Sequence, residues 1–561
     1  MAPGNPLTIA KASRDDDGKV WQQLVFYDSG VGTGALSKIE SNRQGATGDG
    51  LVVNVLEAYN FVVNNYSPGD KIYCFGFSRG AFTARAIAGM ITDFGVMKPD
   101  NMKHFASLFA AYQKNTSKYN FRKTKEYFEW YAGKAPFVPE SQKETCNVKI
   151  PWYDMGVWGD MEYPNSRSIE LVGVFDTVGS LGLADTYVRS HASDRQKFEW
   201  LNVKWNPYIK HAFHALALDD RRQPFLPTLY YIPSDDVIAA EKKILEKDEV
   251  DWPELTEHRR RIDKELEEQK ADHEPDLVQV WFTGVHINIG GGTDDAKTDF
   301  EGLANISFAW MIEQCRPYLA FEDFTNATLA NYLQRMIEYD AEQSLRKKEE
   351  PSGMVGKTVA SITEELSATK KWLGSFWSSS SKEATPKEKL VRTYCFSPSV
   401  VPPYKPAHWT LFRVQDSYSL MYQAISGPQA RTPGACDDRS TEAHTPMRDL
   451  GQTNEYMHPS VKWRVDMSKA HEQKEFQYKS EPLAAFDYKP KGGVQGWAHK
   501  TDSKVWIPEW PIAAALKDED PSAYNENSEM ALVDQCLDKK EVRKFLRKNA
   551  KDWKKAHPTA K

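Results

Sequence analysis

Long apolar runs are missing from this 561-residue chain. Nothing in it approaches the roughly 18 consecutive apolar residues of a membrane-spanning helix, and mean hydropathy is −0.61. Cysteine is sparse. Cys74, Cys146, Cys315, Cys395, Cys436 and Cys536 stand singly, with no CxxC and no Cys/His ligand spacing, which argues against a disulfide framework or a zinc module. An excess of one charge is also missing, since 72 Lys and Arg face 78 Asp and Glu for a net −6. That balance speaks against a dedicated nucleic-acid binder. The first residues lack the basic and apolar stretches of a secretory signal, so a cytoplasmic, reducing setting is the expectation. What the chain does have is core-forming material, with 40% hydrophobic and 12% aromatic residues, too much for a disordered polymer.

The order of elements predicts a fold. Residues 21–27 read as a short buried strand ended by the glycine-rich loop 28–34. Val52, Val55, Leu56, Tyr59, Val62 and Val63 recur at helical spacing over 51–65. Ser67-Pro68-Gly69-Asp70 breaks that helix, Lys71–Phe75 reads as the next strand, and a helix follows from Ala81 to about Phe94. Residues 169–175 and 277–282 are continuous apolar runs, the pattern of parallel strands buried on both faces. The expected fold class is α/β, a mostly parallel sheet with flanking helices. Residues 1–340 form the predicted catalytic domain, carrying a charged helical insertion at 236–272. A linker with an amphipathic helix is expected over 341–389, an irregular strand-rich module over 390–515 and a basic helical tail over 516–561. From Lys539 onward that tail holds ten Lys and Arg against two acidic residues.

The chemistry concentrates in Gly76-Phe77-Ser78-Arg79-Gly80, a G-x-S-x-G run between a predicted strand and a predicted helix. In such a turn the serine hydroxyl stands above the carboxyl end of the sheet, and a Cβ at Gly76 or Gly80 is expected to collide with neighbouring backbone. The competing reading is an ordinary Gly-rich turn with a surface serine. A nucleophilic serine needs a base, and the base an orienting carboxylate. Asp176 ends the strand 169–175 and His286 follows the strand 277–282, giving the order Ser, Asp, His of α/β-hydrolases. A turn aspartate and a loop histidine are their plainer readings. His211 and His214 with Asp219 lack an HExxH pattern and are expected to be structural, so neither metal nor cofactor is expected.

Gly-Phe-Ser-Arg-Gly-Ala, Val-Phe-Asp-Thr-Val-Gly-Ser-Leu-Gly and Gly-Val-His-Ile-Asn-Ile-Gly-Gly-Gly together resemble the α/β-hydrolase family that includes bacterial type VI secretion phospholipase effectors, its fungal members above all. Tyr27–Gly34, His214–Arg222, Ala309-Trp310-Met311, Arg431-Thr432-Pro433-Gly434 and Thr453–Val461 extend the likeness over about residues 6–515. The resemblance implies ester hydrolysis, of phospholipid in the bacterial effectors, with Ser78 as nucleophile, Asp176 as orienter and His286 as base. The Arg79 backbone N–H is then one oxyanion donor, and Gly30 and Gly32 lend backbone from the loop 28–34. Family members open with an Asp-Gly-Thr motif after a first strand, whereas Asn5–Ala10 here resembles the helix that follows it. A central strand and an oxyanion donor are therefore expected to be missing.

The partners expected are a small-molecule or lipid ester and no nucleic acid. The amphipathic stretch 354–377 and the basic tail admit a peripheral membrane contact or, alternatively, plain packing and solvation. Two further readings stay open at this stage. One is a short-chain carboxylesterase or thioesterase. The other is a shortened, inactive hydrolase fold acting as a binding protein.

Overall fold

The computed structural model describes residues 12–14, 19–28, 49–115, 120–131, 162–178, 200–246, 253–291, 302–321, 414, 428–437, 445–469 and 477–511. The strands are β1 (Ala12–Arg14), β2 (Val20–Gln22), β3 (Tyr73–Phe77), β4 (Ile169–Phe175), β5 (Ile209–Ala217), β6 (Ile232–Pro233), β7 (Asp276–Phe282), β8 (Gly451–Gln452), β9 (Glu455–Met457), β10 (Phe486–Tyr488), β11 (Gly496–His499) and β12 (Trp506–Pro508). The α-helices of the described residues are α1 (Asp49–Asn65), α2 (Arg79–Phe94), α3 (Phe105–Tyr112), α4 (Lys125–Tyr131), α5 (Asp235–Glu246), α6 (Pro253–Asp272), α7 (His286–Gly290), α8 (Gly302–Cys315), α9 (Met447–Leu450) and α10 (Pro459–Lys469).

Five of these strands form one parallel sheet in the order β3-β4-β5-β7-β9. Every residue of β4, Ile-Glu-Leu-Val-Gly-Val-Phe, is buried, which is why its sequence lacks polar alternation, Glu170 alone being charged and paired with Lys71 and Lys210. Burying each of its Val, Leu, Ile and Phe side chains contributes about 1.5–3 kcal/mol relative to leaving it in water. One face of the sheet packs Val172, Val174 and Ala212 under α1 to α4, with Tyr59, Phe94, Tyr112 and Phe121 at the centre of that layer. On the other face Leu171, Phe213, Val280 and Phe282 meet Trp310 and Met311 of α8. Within the charged span 236–272, α5 and α6 are helices, and residues 247–252 between them lie outside the described residues.

The C-terminal region contains the antiparallel sheet β10-β11-β12. Its Phe486, Trp497, Val505 and Ile507 pack with Leu216, Trp281 and Met457 in a third apolar cluster. The same region also sends β9 into the central sheet beside β7, with Tyr456 opposite Val280.

Residues 21–27 do not form the buried strand their composition suggests. Only Val20–Gln22 pairs, antiparallel to Ala12–Arg14. Leu24 and Tyr27 are 64% and 71% exposed. An apolar run is buried only where a neighbouring strand takes it into a sheet, and among the described residues none pairs with 23–27. Gln23 instead clasps Ala320 through both its amide groups at 3.0 Å, and the Phe26 ring lies 5.2 Å from that of Phe61 on α1. Gly30, Gly32, the stretch 354–377 and the basic tail lie outside the described residues.

Candidate active site

Parallel register brings the carboxyl ends of the central strands to one level. Phe77, the last residue of β3, stands opposite Phe175, the last of β4, and Phe175 opposite Ala215 of β5. Ser78 and Asp176 are the next residues along their chains, so both leave the sheet on the same edge. The Ser78 N–H donates to Phe175 O at 3.0 Å and the Asp176 N–H to Ala215 O at 2.7 Å. Each turn is sharp, with φ of 60° at Ser78 and 42° at Asp176. Non-glycine residues in such backbone regions cost on the order of 1–3 kcal/mol, and they persist where the surroundings enforce them.

The turn at Ser78 explains one flanking glycine and not the other. A Cβ on Gly76 would lie 2.2 Å from the carbonyl oxygen of Gly80, a contact no side chain tolerates. At Gly80 the same construction meets nothing within 4 Å. The expectation of a collision at Gly80 is thus corrected, because the residue sits inside the first turn of α2 with its open side away from the strand. That helix begins at Arg79, two residues earlier than its sequence suggests, and Ala81 and Phe82 N–H both close onto Ser78 O. The first N–H groups of a helix have no intrahelical acceptor and carry the positive end of its dipole.

His286 enters from the far side, as the first residue of α7 after β7. Its Nε2 is 2.7 Å from Ser78 Oγ and its Nδ1 is 2.6 Å from Asp176 Oδ2. A carboxylate only accepts, so the ring proton resides on Nδ1 and Nε2 is left to accept from the serine hydroxyl. The histidine is held from several sides. Its backbone N–H donates to Asp220 Oδ2 at 3.1 Å, and Gly284 N–H donates to Asp219 Oδ2 at 2.7 Å. The Tyr478 hydroxyl contacts both Asp219 oxygens, at 2.8 and 2.7 Å. The rings of Phe77 and Phe225 lie 4.7 and 4.9 Å from the imidazole. Gly290 lacks a Cβ where one would enter the Phe77 ring.

Asp176 is fully buried and receives four donors. Arg431 Nη1 and Ala217 N–H reach Oδ1 at 2.5 and 2.9 Å, while His286 Nδ1 and Arg431 Nη2 reach Oδ2 at 2.6 and 2.9 Å. Burial pushes this carboxyl up, but the Arg431 charge and the hydrogen bonds from His286 and Arg431 more than offset it and hold it well below the usual carboxylate range. Beside it, His214 Nε2 accepts the Thr177 N–H at 3.1 Å and Nδ1 meets Gln279 Oε1 at 3.1 Å. Burial above all, with the nearby Arg85 charge, lowers His214 to about 3, so it is neutral.

Ser78, Asp176 and His286, chosen from the sequence, therefore stand in one hydrogen-bonded line. His211 pairs with Asp276 at 2.8 Å and packs on Tyr318, away from this line. Among the described residues no group of three His, Cys, Asp or Glu side chains is arranged to hold a metal ion, and no helix is long and apolar enough to cross a membrane. Sequence reasoning missed the parts played by Arg431, Tyr478 and Gln279. Arg431 lies in a motif noted only for its resemblance, and nothing in its local pattern marks an ion pair with Asp176.

Two comparisons bear on this arrangement. A family model described as "T6SS, Phospholipase effector Tle1-like, catalytic domain" matches residues 2–314. The uncharacterised protein YEL023C of Saccharomyces cerevisiae is 24% identical over 234 residues, which is 39% of this chain and 29% of the yeast protein. The chain thus spans less than a third of the length of that relative.

Proposed function

Because the chain belongs to the family of Tle1-like type VI secretion phospholipase effector catalytic domains, we propose that it is a serine hydrolase of lipid carboxylic esters, working through Ser78, His286 and Asp176. What carries the reading is the unbroken line from Ser78 Oγ through both imidazole nitrogens to Asp176 Oδ2, at 2.7 and 2.6 Å. Ser78 Oγ attacks the ester carbonyl carbon as its proton passes to His286 Nε2. Asp176 keeps the other ring proton on Nδ1 and stabilises the imidazolium. The tetrahedral oxyanion is received by the Arg79 backbone N–H at the amino end of α2, helped by the helix dipole. The imidazolium then gives its proton to the departing alcohol oxygen, the ester C–O bond breaks, and an acyl-Ser78 ester is left. Water repeats the sequence: His286 takes its proton, the hydroxide adds to the acyl carbon, and Ser78 leaves protonated with release of the fatty acid.

The test is phospholipid vesicle hydrolysis, followed by fatty acid release, together with fluorophosphonate labelling of wild type and Ser78→Ala. The reading expects wild type to release fatty acid and take the label, and the variant to lose both while its circular dichroism is unchanged. Hydrolysis that survives in Ser78→Ala overturns it.

A further inference from the structure

Arg431 stands outside the region matched by the family model, yet its guanidinium is buried against the site, with 1% of the residue exposed. Both terminal nitrogens are doubly used. Nη1 donates to Asp176 Oδ1 and to Ala217 O, at 2.5 and 2.6 Å, and Nη2 to Asp176 Oδ2 and to Phe225 O, at 2.9 and 2.5 Å. Ala217 ends β5 and returns its own N–H to Asp176 Oδ1. The Phe225 and His286 rings meet in a T-shaped contact, and the Arg222 guanidinium lies over the Phe225 ring, 3.4 Å from its centroid. One planar group thereby fixes the plane of the carboxylate, the end of the neighbouring strand and the turn that flanks the imidazole. The approach of Arg431 is itself fixed, because Gln429 N–H donates to Arg221 O and Pro428 bridges Arg222.

We propose that Arg431 is a positioning residue for ester hydrolysis, so that the C-terminal region supplies a fourth member to the unit formed by Ser78, His286 and Asp176. The inference rests on the Ser78 reading above. Arg431 touches no reacting atom. It acts by holding Asp176 in the plane that receives His286 Nδ1–H, and by tying down the Phe225 turn. An ammonium offers a single point charge on a flexible stem and cannot span two carboxylate oxygens and two carbonyls at once. Charge alone is therefore insufficient, and that separates positioning from simple compensation of a buried carboxylate.

The experiment compares full-length wild type, Arg431→Lys, Arg431→Gln and Ser78→Ala by fluorophosphonate inactivation kinetics, resolving the limiting rate kinact from the half-saturating concentration KI. Arg431→Gln leaves Asp176 buried without its partner and is prone to misfold, so the decisive variant is Arg431→Lys, which keeps the charge. The expected result is a folded Arg431→Lys whose kinact falls by about 10- to 100-fold with KI within about twofold of wild type. A folded Arg431→Lys with wild-type kinact overturns the inference and leaves the Ser78 reading standing. Labelling that persists in Ser78→Ala overturns that reading, and this inference with it.

Discussion

The backbone N–H of Thr177, the residue after Asp176, donates to His214 Nε2 at 3.1 Å. A nitrogen that accepts carries no proton, so His214 is the Nδ1–H tautomer and donates to Gln279 Oε1. Gln279 completes the network by accepting Tyr230 N–H and donating to Tyr230 O and Thr453 O. The turn that presents Asp176 is thus anchored to the middle of the sheet through a neutral imidazole.

Protonation of His214 breaks this anchor. Its folded value, about 3, lies below the ordinary 6.5, so its contribution is full above about pH 6.5 and is lost as pH falls toward 3. His214→Phe removes the titration but orphans the Thr177 N–H, while Gln279 Oε1 keeps only the Tyr230 N–H, at a cost of about 1–3 kcal/mol near neutrality. Urea unfolding should show that deficit at about pH 7 and a smaller one at about pH 4, where wild type pays its own protonation cost. An equal deficit at both values would contradict the neutral assignment.

Asp93 behaves in the opposite sense. It is buried at the end of α2, accepts from Asn202 Nδ2 at 3.2 Å, and burial raises its carboxyl from 3.8 to about 7. A raised acid contributes stability in full below about pH 4 and loses it as pH climbs through about 7. Asp93→Asn removes the ionisation, so the variant should gain on wild type by up to a few kcal/mol at about pH 8 and lose that advantage near pH 4. Chemical unfolding at the two pH values measures it.

The two glycines of the G-x-S-x-G turn should respond differently to alanine. Gly76→Ala forces a methyl onto the Gly80 carbonyl and should destabilise by about 2 kcal/mol or more, through overpacking against backbone that cannot move aside. Gly80→Ala adds a methyl in open space within a helical turn and should stabilise by up to about 1 kcal/mol. Thermal unfolding of the two variants should therefore shift in opposite directions.

The parallel core was legible because strands buried on both faces are mostly apolar without alternation, as β4 and β7 are apart from Glu170, Asp276 and Gln279. Ser78 and Asp176 could be singled out because each directly follows the last apolar residue of its strand, whereas His286 lies four residues past Phe282, the end of β7. Composition failed at Leu24–Tyr27, since strand-like residues do not say whether a partner strand is there to bury them. It failed again at Arg431. A buried ion pair leaves no periodicity, and its two halves lie 255 residues apart.

That separation also sets an order of events during synthesis. At about 5–20 residues per second a ribosome takes roughly 13–50 s to travel from Asp176 to Arg431. Throughout that interval Ser78, and later His286, are already translated, while the carboxylate between them lacks its cation. The strand Glu455–Met457 that closes the far side of the sheet is translated later still. On this timetable Asp176 acquires its buried cation, and the central sheet its β9 strand, only when the C-terminal region docks, so a nascent chain that stops short of Arg431 holds Ser78 and His286 beside a buried carboxylate with no counter-ion from Arg431.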